Sequence, residues 1–377
     1  MAGRTQEALY GEIDLELSWS EADLPQAKRT KHVHSLHPYL GKFIPQLVEV
    51  FLRRYFKPGD CVYDPFVGSG TTLVEANVFG AAGVGCDISE FNCLLSRVKT
   101  RGYSLGALEL GLRGVLEQTR KTSEVVTTNG ASHWLRTWYS ERALRELLAY
   151  HCVASESLDD AGWDVARVIL SRAARSARRT THFNLDFPGR PQAAPYWCHK
   201  HKRTCRPVDE ALKFLRRYTV DTVRRLREFA AIRSNLPVEI LHDDARVVEL
   251  PLEPSGIITS PPYPGLIDYH EQHRYSYELL GLRDRREDEI GPASRGRSRP
   301  AARAYLEDMI AVFANARLQL PARAPVIIVV NDQKQLYPEL LERAGLRLQE
   351  ELRRHVNRRT GRRAGEFFES VLVCVTV

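Results

Sequence analysis

Two short segments of the chain combine residue types that could hold a ligand and align an amino group. The first is DPFVGSGTT, residues 64–72, whose glycines permit positive φ and close approach of a ligand to the backbone. The second is SPPY, residues 260–263, where two prolines remove N–H donors and leave carbonyl acceptors. An amine that donates to Ser260 and to the Pro261 carbonyl would turn its lone pair towards an electrophile, and the Tyr263 ring would stack on a planar group. Such chemistry relies on alignment and needs no covalent nucleophile.

The glycine loop differs from the two best-known phosphate-binding motifs. No lysine follows Gly70, as a Walker loop requires, and position 73 is leucine, which breaks the GxGxxG pattern. Asp87 follows 17 residues after Gly70, where an acid can accept both hydroxyls of a ribose. A helix cap is the alternative for Asp87 alone, but the preceding loop favours a nucleoside-containing cofactor.

The elements around these segments predict an alternating α/β fold. A short apolar strand ends at Asp64, a helix begins near Thr71, and a second strand, AGVGCDI, ends at Asp87. Strand character returns in PVEILHDDA, GIITSPPY, APVIIVVND and EFFESVLVCVTV. The pattern predicts a doubly wound, Rossmann-like α/β sheet.

The chain divides into four predicted regions. Residues 1–30 form an N-terminal arm, and residues 31–99 form the first part of the catalytic domain, with the cofactor site. Residues 100–235 form a mainly helical, basic insert, a candidate for target recognition. Residues 236–377 form the second part of the catalytic domain, with a mobile loop at about 283–303, where large apolar residues are few.

Charge and composition restrict the class of protein. The 377 residues include 54 basic and 47 acidic residues, for a net charge of +7. Ten basic residues and one acidic residue lie within 167–206, which favours a polyanionic partner. No apolar stretch is long enough to span a membrane, and an odd count of seven cysteines argues against a disulfide framework. A cytoplasmic protein is the expectation.

The joint pattern resembles a known enzyme family. DPFVGSGTT together with TSPPY is similar to the amino-directed DNA methyltransferases, which methylate adenine N6 or cytosine N4. HPYLGKFIP, residues 37–45, resembles the segment that precedes the glycine loop in that family, and the resemblance extends over roughly residues 30–377. Many members that carry SPPY place it before the glycine loop, so the topological class stays open.

The resemblance implies S-adenosylmethionine as cofactor and assigns residue roles. Asp87 would bind the ribose, Asp244 the adenine amino group, and the glycine loop the methionine end. The implied cofactor-binding residues are Phe43, Asp64, Phe66, Gly68, Gly70, Thr71, Asp87 and Asp244. Ser260, Pro261, Pro262 and Tyr263 would hold a target base flipped out of the duplex.

The target base is predicted from the tetrapeptide. In the resembled family SPPY favours cytosine N4, and adenine N6 is the alternative. Methylation at cytosine C5 is excluded, because no cysteine follows a proline. An RNA or small-molecule methyltransferase, or a non-catalytic DNA-binding protein, is less favoured by the basic insert and the intact motifs.

Double-stranded DNA is the predicted partner, and the basic residues are candidates for contacting its phosphates. They are Arg175, Arg178, Arg179, Lys200, Lys202, Arg203, Arg358 and Arg359. A separate restriction endonuclease is a further possible partner; no cluster of paired acids with lysine suggests nuclease activity in this chain. Oligomeric state is not predicted.

Three further segments leave alternatives open. Cys198, His199, His201 and Cys205 form either a zinc knuckle or a basic loop with packed cysteines; since the spacing is not CxxC, no metal is predicted. Residues 268–273, DYHEQH, either cap the next helix or contact the ligand. Asn331-Asp332 form either an ordinary turn or a wall of the base pocket.

Overall fold

The computed structural model describes residues 24–41, 44–182, 184–185, 188–356 and 368–377, together with Leu17 and Trp19. Most of the predicted N-terminal arm therefore lies outside the described residues. Leu17 is an exception, because it is buried in the apolar cluster beneath the central sheet.

Strands and helices alternate through much of the described chain. The strands are β1 (Cys61–Asp64), β2 (Ala82–Asp87), β3 (Tyr196–Cys198), β4 (Arg203–Cys205), β5 (Val238–His242), β6 (Gly256–Thr259), β7 (Pro325–Val330), β8 (Leu346–His355) and β9 (Phe368–Thr376). The α-helices are α1 (Gln26–Arg29), α2 (Pro45–Tyr55), α3 (Thr71–Phe79), α4 (Glu90–Thr100), α5 (Leu105–Thr122), α6 (His133–Trp138), α7 (Glu141–Ser157), α8 (Asp160–Ala177), α9 (Leu212–Ala230), α10 (Tyr269–Gln272), α11 (Arg274–Leu280), α12 (Arg299–Leu318) and α13 (Tyr337–Arg343). Among the described residues, no helix is long and apolar enough to cross a membrane.

The central sheet has the order β5-β2-β1-β6-β7-β9-β8. Strands β5, β2, β1, β6 and β7 run parallel, and β9 pairs antiparallel with both β7 and β8. The chain passes from β1 to β2 on one side and returns to β6 on the other. Ligands bind at such a switch point in doubly wound sheets, at the carboxyl ends of the strands. The predicted doubly wound fold is confirmed.

Alternate side chains along the central strands point to opposite faces of the sheet, and both faces are covered by apolar clusters. On one face, Val62 and Ile327 pack with Phe51 of α2. On the other, Tyr63 and Ile328 pack in the apolar cluster that includes α12. Burial on both faces explains why these strands are short continuous apolar runs rather than amphipathic ones.

The helical region between β2 and β5 packs on the sheet's helical layer. Residues from α5, α7, α8 and α9 share one buried cluster with Phe91 of α4. Helix α4 ends at Thr100 and β5 begins at Val238, close to the predicted limits of the insert. Strands β3 and β4 form a small hairpin outside the central sheet.

The segment at about 283–303, predicted as a mobile loop, has some regular local structure. It contains 3-10 turns at Arg286–Asp288 and Ala293–Arg295, and α12 already begins at Arg299. The Ser298 hydroxyl accepts a hydrogen bond from the Ala301 N–H, so Ser298 caps the helix. The composition of this segment predicted a loop because the residues that form turns and cap helices are polar, as loop residues are.

Candidate active site

A cavity of about 860 Å³, including the space that is open to solvent, lies at the carboxyl ends of the parallel strands. Residues that follow β1, β2, β5 and β6 contribute to its wall. The lining includes Tyr39, Phe66, Gly68, Ser69, Thr71, Asp87, Asn92, Asp244, Ser260, Pro262, Tyr269 and Glu289. DPFVGSGTT and SPPY, which are about 190 residues apart in the sequence, thus meet at one cavity, because the carboxyl ends of parallel strands lie at the same edge of the sheet.

The glycine loop leads into the N-terminus of α3. Gly70 is the N-cap residue at φ +77°, and a Cβ there would lie 2.9 Å from the Ser96 hydroxyl oxygen. The buried Lys99 ammonium donates a 2.6 Å hydrogen bond to the Ser69 carbonyl and holds the loop from below. A helix N-terminus with unsatisfied N–H groups favours an anionic ligand group such as a carboxylate.

Asp87 closes the loop at the next strand. Its carboxylate accepts hydrogen bonds from the backbone N–H groups of Gly68 (2.8 Å) and Ser89 (2.9 Å), and from the Asn92 amide. Burial raises the pKa of Asp87, although these donors oppose the shift. A carboxylate has about four acceptor sites, and these contacts use two at each oxygen, so a ligand hydroxyl would replace a contact from the Asn92 amide.

Asp64 lies behind the cavity wall. It is buried, and its Oδ1 accepts hydrogen bonds from the Thr259 hydroxyl (2.6 Å) and the Phe66 N–H (3.1 Å). It therefore ties the end of β1 to the end of β6 beneath the loop. Burial raises the pKa of Asp64 to about 6, with the Thr259 hydrogen bond acting in the opposite direction.

The raised pKa of Asp64 predicts a pH-dependent stability. Because the folded-state pKa lies above the ordinary 3.8, the contribution of Asp64 is fully present below pH 3.8 and is lost as pH rises through 6. Relative to Asp64→Asn, the wild type should lose about 1–2 kcal/mol more unfolding free energy between pH 5 and pH 8. Denaturant unfolding at both pH values measures this difference. An equal change in unfolding free energy in the wild type and in Asp64→Asn would contradict the raised pKa of Asp64.

Asp244 forms an ion pair at the cavity wall. The Arg246 guanidinium donates to both Asp244 oxygens and also to Asp308 at 2.6 Å. Burial opposes ionisation, but the hydrogen bonds from Arg246 outweigh it and lower the pKa of Asp244. The carboxylate is therefore anchored and ionised, and its acceptor sites are partly used within the chain.

The cavity is also lined by Tyr39, which had no predicted role, and by Tyr269 of the DYHEQH segment, for which a ligand contact was an open alternative. Tyr39 stacks against Tyr269 and His273 at ring distances of 5.7 and 5.4 Å. The buried His270 ring pairs with Glu289, which brings part of the charged 283–303 segment to the cavity. The DYHEQH segment thus both lines the cavity, through Tyr269, and anchors it, through His270. The only sequence signal was its position directly after SPPY.

The SPPY tetrapeptide stands between two cavities. Ser260 and Pro262 line the first, whereas Tyr263 lines a second cavity of about 640 Å³. The Tyr263 hydroxyl donates to Glu369 at 3.0 Å, and the Arg354 guanidinium lies 3.5 Å from the same carboxylate. Burial and the carboxylate raise the pKa of Tyr263 well above its ordinary value, so the hydroxyl stays protonated as a donor.

Asn331 and Asp332 line the second cavity but serve the local fold. Asp332 accepts hydrogen bonds from the N–H groups of Leu336 and Tyr337 at 2.9 Å each, at the start of α13. The Asn331 amide donates to the Phe368 carbonyl. These contacts match the turn interpretation, while the position of both residues also matches a pocket wall.

The predicted basic residues fall into distinct environments. Lys200, Lys202 and Arg203 are exposed at the β3–β4 hairpin. Arg178 is buried instead: its guanidinium lies over the Tyr275 ring at 4.6 Å and donates to the Leu185 carbonyl, so it cannot meet a phosphate in this conformation. Arg175 and Arg179 are half-buried. The predicted residues Phe43, Arg358 and Arg359 lie outside the described residues.

The sequence matches known proteins over nearly its whole length. A family model described as DNA methylase matches residues 12–97, which include the glycine loop and Asp87. The chain is 37% identical to the Type II methyltransferase M.MjaII of Methanocaldococcus jannaschii, over 97% of this chain and 84% of that protein. It is also 25% identical to the Type II methyltransferase M.MvaI of Kocuria varians, over 66% of this chain and 58% of that protein.

Solved structures show weaker similarity. TrmN from Thermus thermophilus is 14% identical, with a TM-score of 0.36 over 90% of this chain and 50% of that chain. The rRNA methyltransferase aviRa from Streptomyces viridochromogenes is 14% identical, with a TM-score of 0.35 over 96% of this chain and 95% of that chain. The strand order, rather than these scores, defines the fold.

Proposed function

Because the chain belongs to the N6/N4 DNA methylase family, and is thus an S-adenosylmethionine-dependent DNA methyltransferase, we propose that it methylates cytosine N4 within a specific site of duplex DNA. The observation that carries the choice of base is Ser260 as the first residue of the SPPY tetrapeptide, which favours cytosine N4 in the resembled family; Ser260 lies on the wall of the first cavity. Adenine N6 is the second candidate, since the same acceptors suit either exocyclic amine.

The residues of the first cavity fit S-adenosylmethionine. The half-buried Asp87 carboxylate suits ribose hydroxyls, and the N-terminus of α3 suits the cofactor's carboxylate. Asp244, held ionised by Arg246, suits an adenine amino group. The chemistry supplied by bound S-adenosylmethionine is an activated methyl group on a positively charged sulfur.

The tetrapeptide orients the target amine. The amine lone pair of a base is delocalised into the ring and is a poor nucleophile. The Ser260 hydroxyl and the Pro261 carbonyl accept hydrogen bonds from the target amine, and these bonds direct the amine lone pair towards the first cavity. Pro262 contributes no N–H donor that would compete with the amine. Alignment of this kind supplies much of the rate.

Tyr263 supports the flipped base from the side of the second cavity. Stacking on an aromatic ring contributes about 1–3 kcal/mol and offsets part of the few kcal/mol that extrusion costs. The Tyr263–Glu369 hydrogen bond holds the ring in place. Similarity to Type II methyltransferases further supports methylation within a restriction–modification system, with a separate endonuclease as partner.

Mass spectrometry of nucleosides tests the proposed base. Plasmid DNA incubated with the protein and methyl-labelled S-adenosylmethionine should yield labelled N4-methylcytosine. Labelled N6-methyladenine would keep the mechanism but contradict the use of Ser260 to choose the base. Label in neither base, with cofactor binding intact, would overturn the proposal.

The exposed basic hairpin supports a DNA contact with a measurable salt dependence. Each phosphate contact contributes roughly 0.9 to the slope of log binding constant against log salt. The double variant Lys200→Ala/Arg203→Ala should therefore lower the slope by about 2. Lys57→Ala/Arg323→Ala removes two exposed charges at the opposite, amino ends of the strands and should leave the slope unchanged. Equal slopes in both variants would remove the hairpin from the interface.

A further inference from the structure

Four potential metal ligands converge beside the β3–β4 hairpin, away from the residues that line the cofactor cavity. One ligand atom from each of His182, Cys198, His201 and Cys205 lies within 4.8 Å of the other three. The sequence suggested a different set, with His199 in place of His182. His199 is exposed, and His182, sixteen residues before Cys198, takes its place in the cluster.

The distances within the cluster match tetrahedral coordination. The Cys198 sulfur lies 3.5 Å from His182 Nδ1 and 3.7 Å from His201 Nδ1, and the Cys205 sulfur lies 3.5 Å from His201 Nδ1. Zinc bonds of about 2.3 Å to sulfur and about 2.0–2.1 Å to nitrogen place tetrahedral ligands about 3.6 Å apart. Each sulfur thus lies at the distance from a histidine nitrogen that two ligands of the same zinc ion would have, and no change in the backbone is needed.

The hairpin register explains how the two sulfurs meet. Cys198 pairs with Arg203 and Tyr196 with Cys205, so both cysteines lie on one face of the hairpin. Both cysteines are buried free thiols, whereas Trp197, on the opposite face, is 58% exposed. Two buried thiols thus lie side by side on this face, next to the half-buried His182 and the exposed His201 of the turn.

Tyr196 attaches His182 to the hairpin. Its hydroxyl accepts a hydrogen bond from the His182 backbone N–H at 3.2 Å; it also lies 3.0 Å from His182 Nδ1, a contact that a metal bound to this nitrogen would replace. The rings of His182 and His201 lie edge to face, with their centres 4.5 Å apart. The tertiary structure therefore orients both imidazoles towards the cysteines.

We propose that His182, Cys198, His201 and Cys205 bind one structural Zn²⁺ ion. Two thiolates and two imidazoles are a ligand set that zinc prefers, and four protein ligands leave no open position for a substrate or water. Strands of three residues are too short to be stable alone, so the ion holds the hairpin and its basic residues in place. The site goes beyond the proposed methyl transfer and depends on neither the cofactor nor the target base.

The metal content of the full-length wild-type protein tests the proposal directly. Protein purified without chelator from zinc-supplemented cells should contain about one zinc per chain. Exchange with Co²⁺ should produce the absorption of tetrahedral cobalt with thiolate-to-cobalt charge transfer. Absence of both zinc and cobalt binding, or a Cys198–Cys205 disulfide in the native protein, would overturn the site.

Matched variants identify the ligands. His182→Ala and Cys198→Ser should lose the zinc, whereas His199→Ala and Cys152→Ser should retain it. Cofactor binding by calorimetry should persist in all four variants that fold, because the cavity lies elsewhere. Zinc loss in His199→Ala with retention in His182→Ala would refute this ligand set. If a variant does not fold, release of zinc from the wild type by thiol titration tests the cysteine ligands instead.

Discussion

Replacement of Asp87 by alanine is expected to weaken S-adenosylmethionine binding about 100-fold or more while the chain stays folded. The carboxylate lies on the cavity wall, where it accepts hydrogen bonds from Gly68 and Ser89 and where ribose hydroxyls would replace contacts from the Asn92 amide. Hydrogen bonds to a charged group contribute about 1.5–3 kcal/mol each, so the loss of two ribose contacts accounts for the effect. Removal of the Gly68 contact also loosens the glycine loop.

Calorimetric titration with the cofactor measures the effect, and thermal unfolding checks the fold. Asp60→Ala is the matched control, because Asp60 lies at the opposite end of β1, where its carboxylate accepts a hydrogen bond from the Lys57 N–H. The control should bind as the wild type does. A folded Asp87→Ala protein with a dissociation constant close to that of the wild type would refute the ribose role.

Replacement of Tyr263 by alanine is expected to lower methylation of DNA by roughly 10- to 100-fold in kcat/KM and to spare cofactor binding. The expected loss corresponds to the 1–3 kcal/mol of base stacking. Cofactor binding should persist because Tyr263 faces the second cavity and not the first.

Tyr263→Phe separates the ring from its hydroxyl. The phenylalanine ring can stack, but it loses the hydrogen bond to Glu369. Methylation by Tyr263→Phe should therefore stay well above that of Tyr263→Ala, with a smaller loss from a less firmly held ring. Equal and severe losses in both variants would show that the hydroxyl matters and the stacking role is wrong. Near-normal turnover in Tyr263→Ala would also exclude stacking.

Sequence patterns predicted the structure best where the residues of a short segment determine its conformation and burial. Apolar runs that end in Asp64 and Asp87 mark the carboxyl ends of parallel strands, and the confirmed doubly wound fold follows from such alternation. Strand β8 was not predicted, because its charged sequence LRLQEELRRH lies at the sheet edge, where few side chains are buried. The start of α12 was also missed, since capping residues resemble loop residues.

Burial of charged residues could not be read from composition. Arg178 belongs to a strongly basic stretch, yet its guanidinium is enclosed by Tyr275 and the Leu185 carbonyl. The same stretch exposes Lys200 and Lys202. Net charge describes a segment, whereas solvent exposure depends on partners that are distant in sequence.

By itself, the sequence determined the fold class, the family and the two segments that meet at the first cavity. It could do so because strand ends, glycine loops and proline pairs are local features, and parallel strands necessarily bring their carboxyl ends to one edge. Only the tertiary structure decided that Tyr263 faces a second cavity and pairs with Glu369, 106 residues away. It likewise replaced His199 with His182 beside the cysteines. Such contacts depend on packing between distant segments, which residue spacing does not encode.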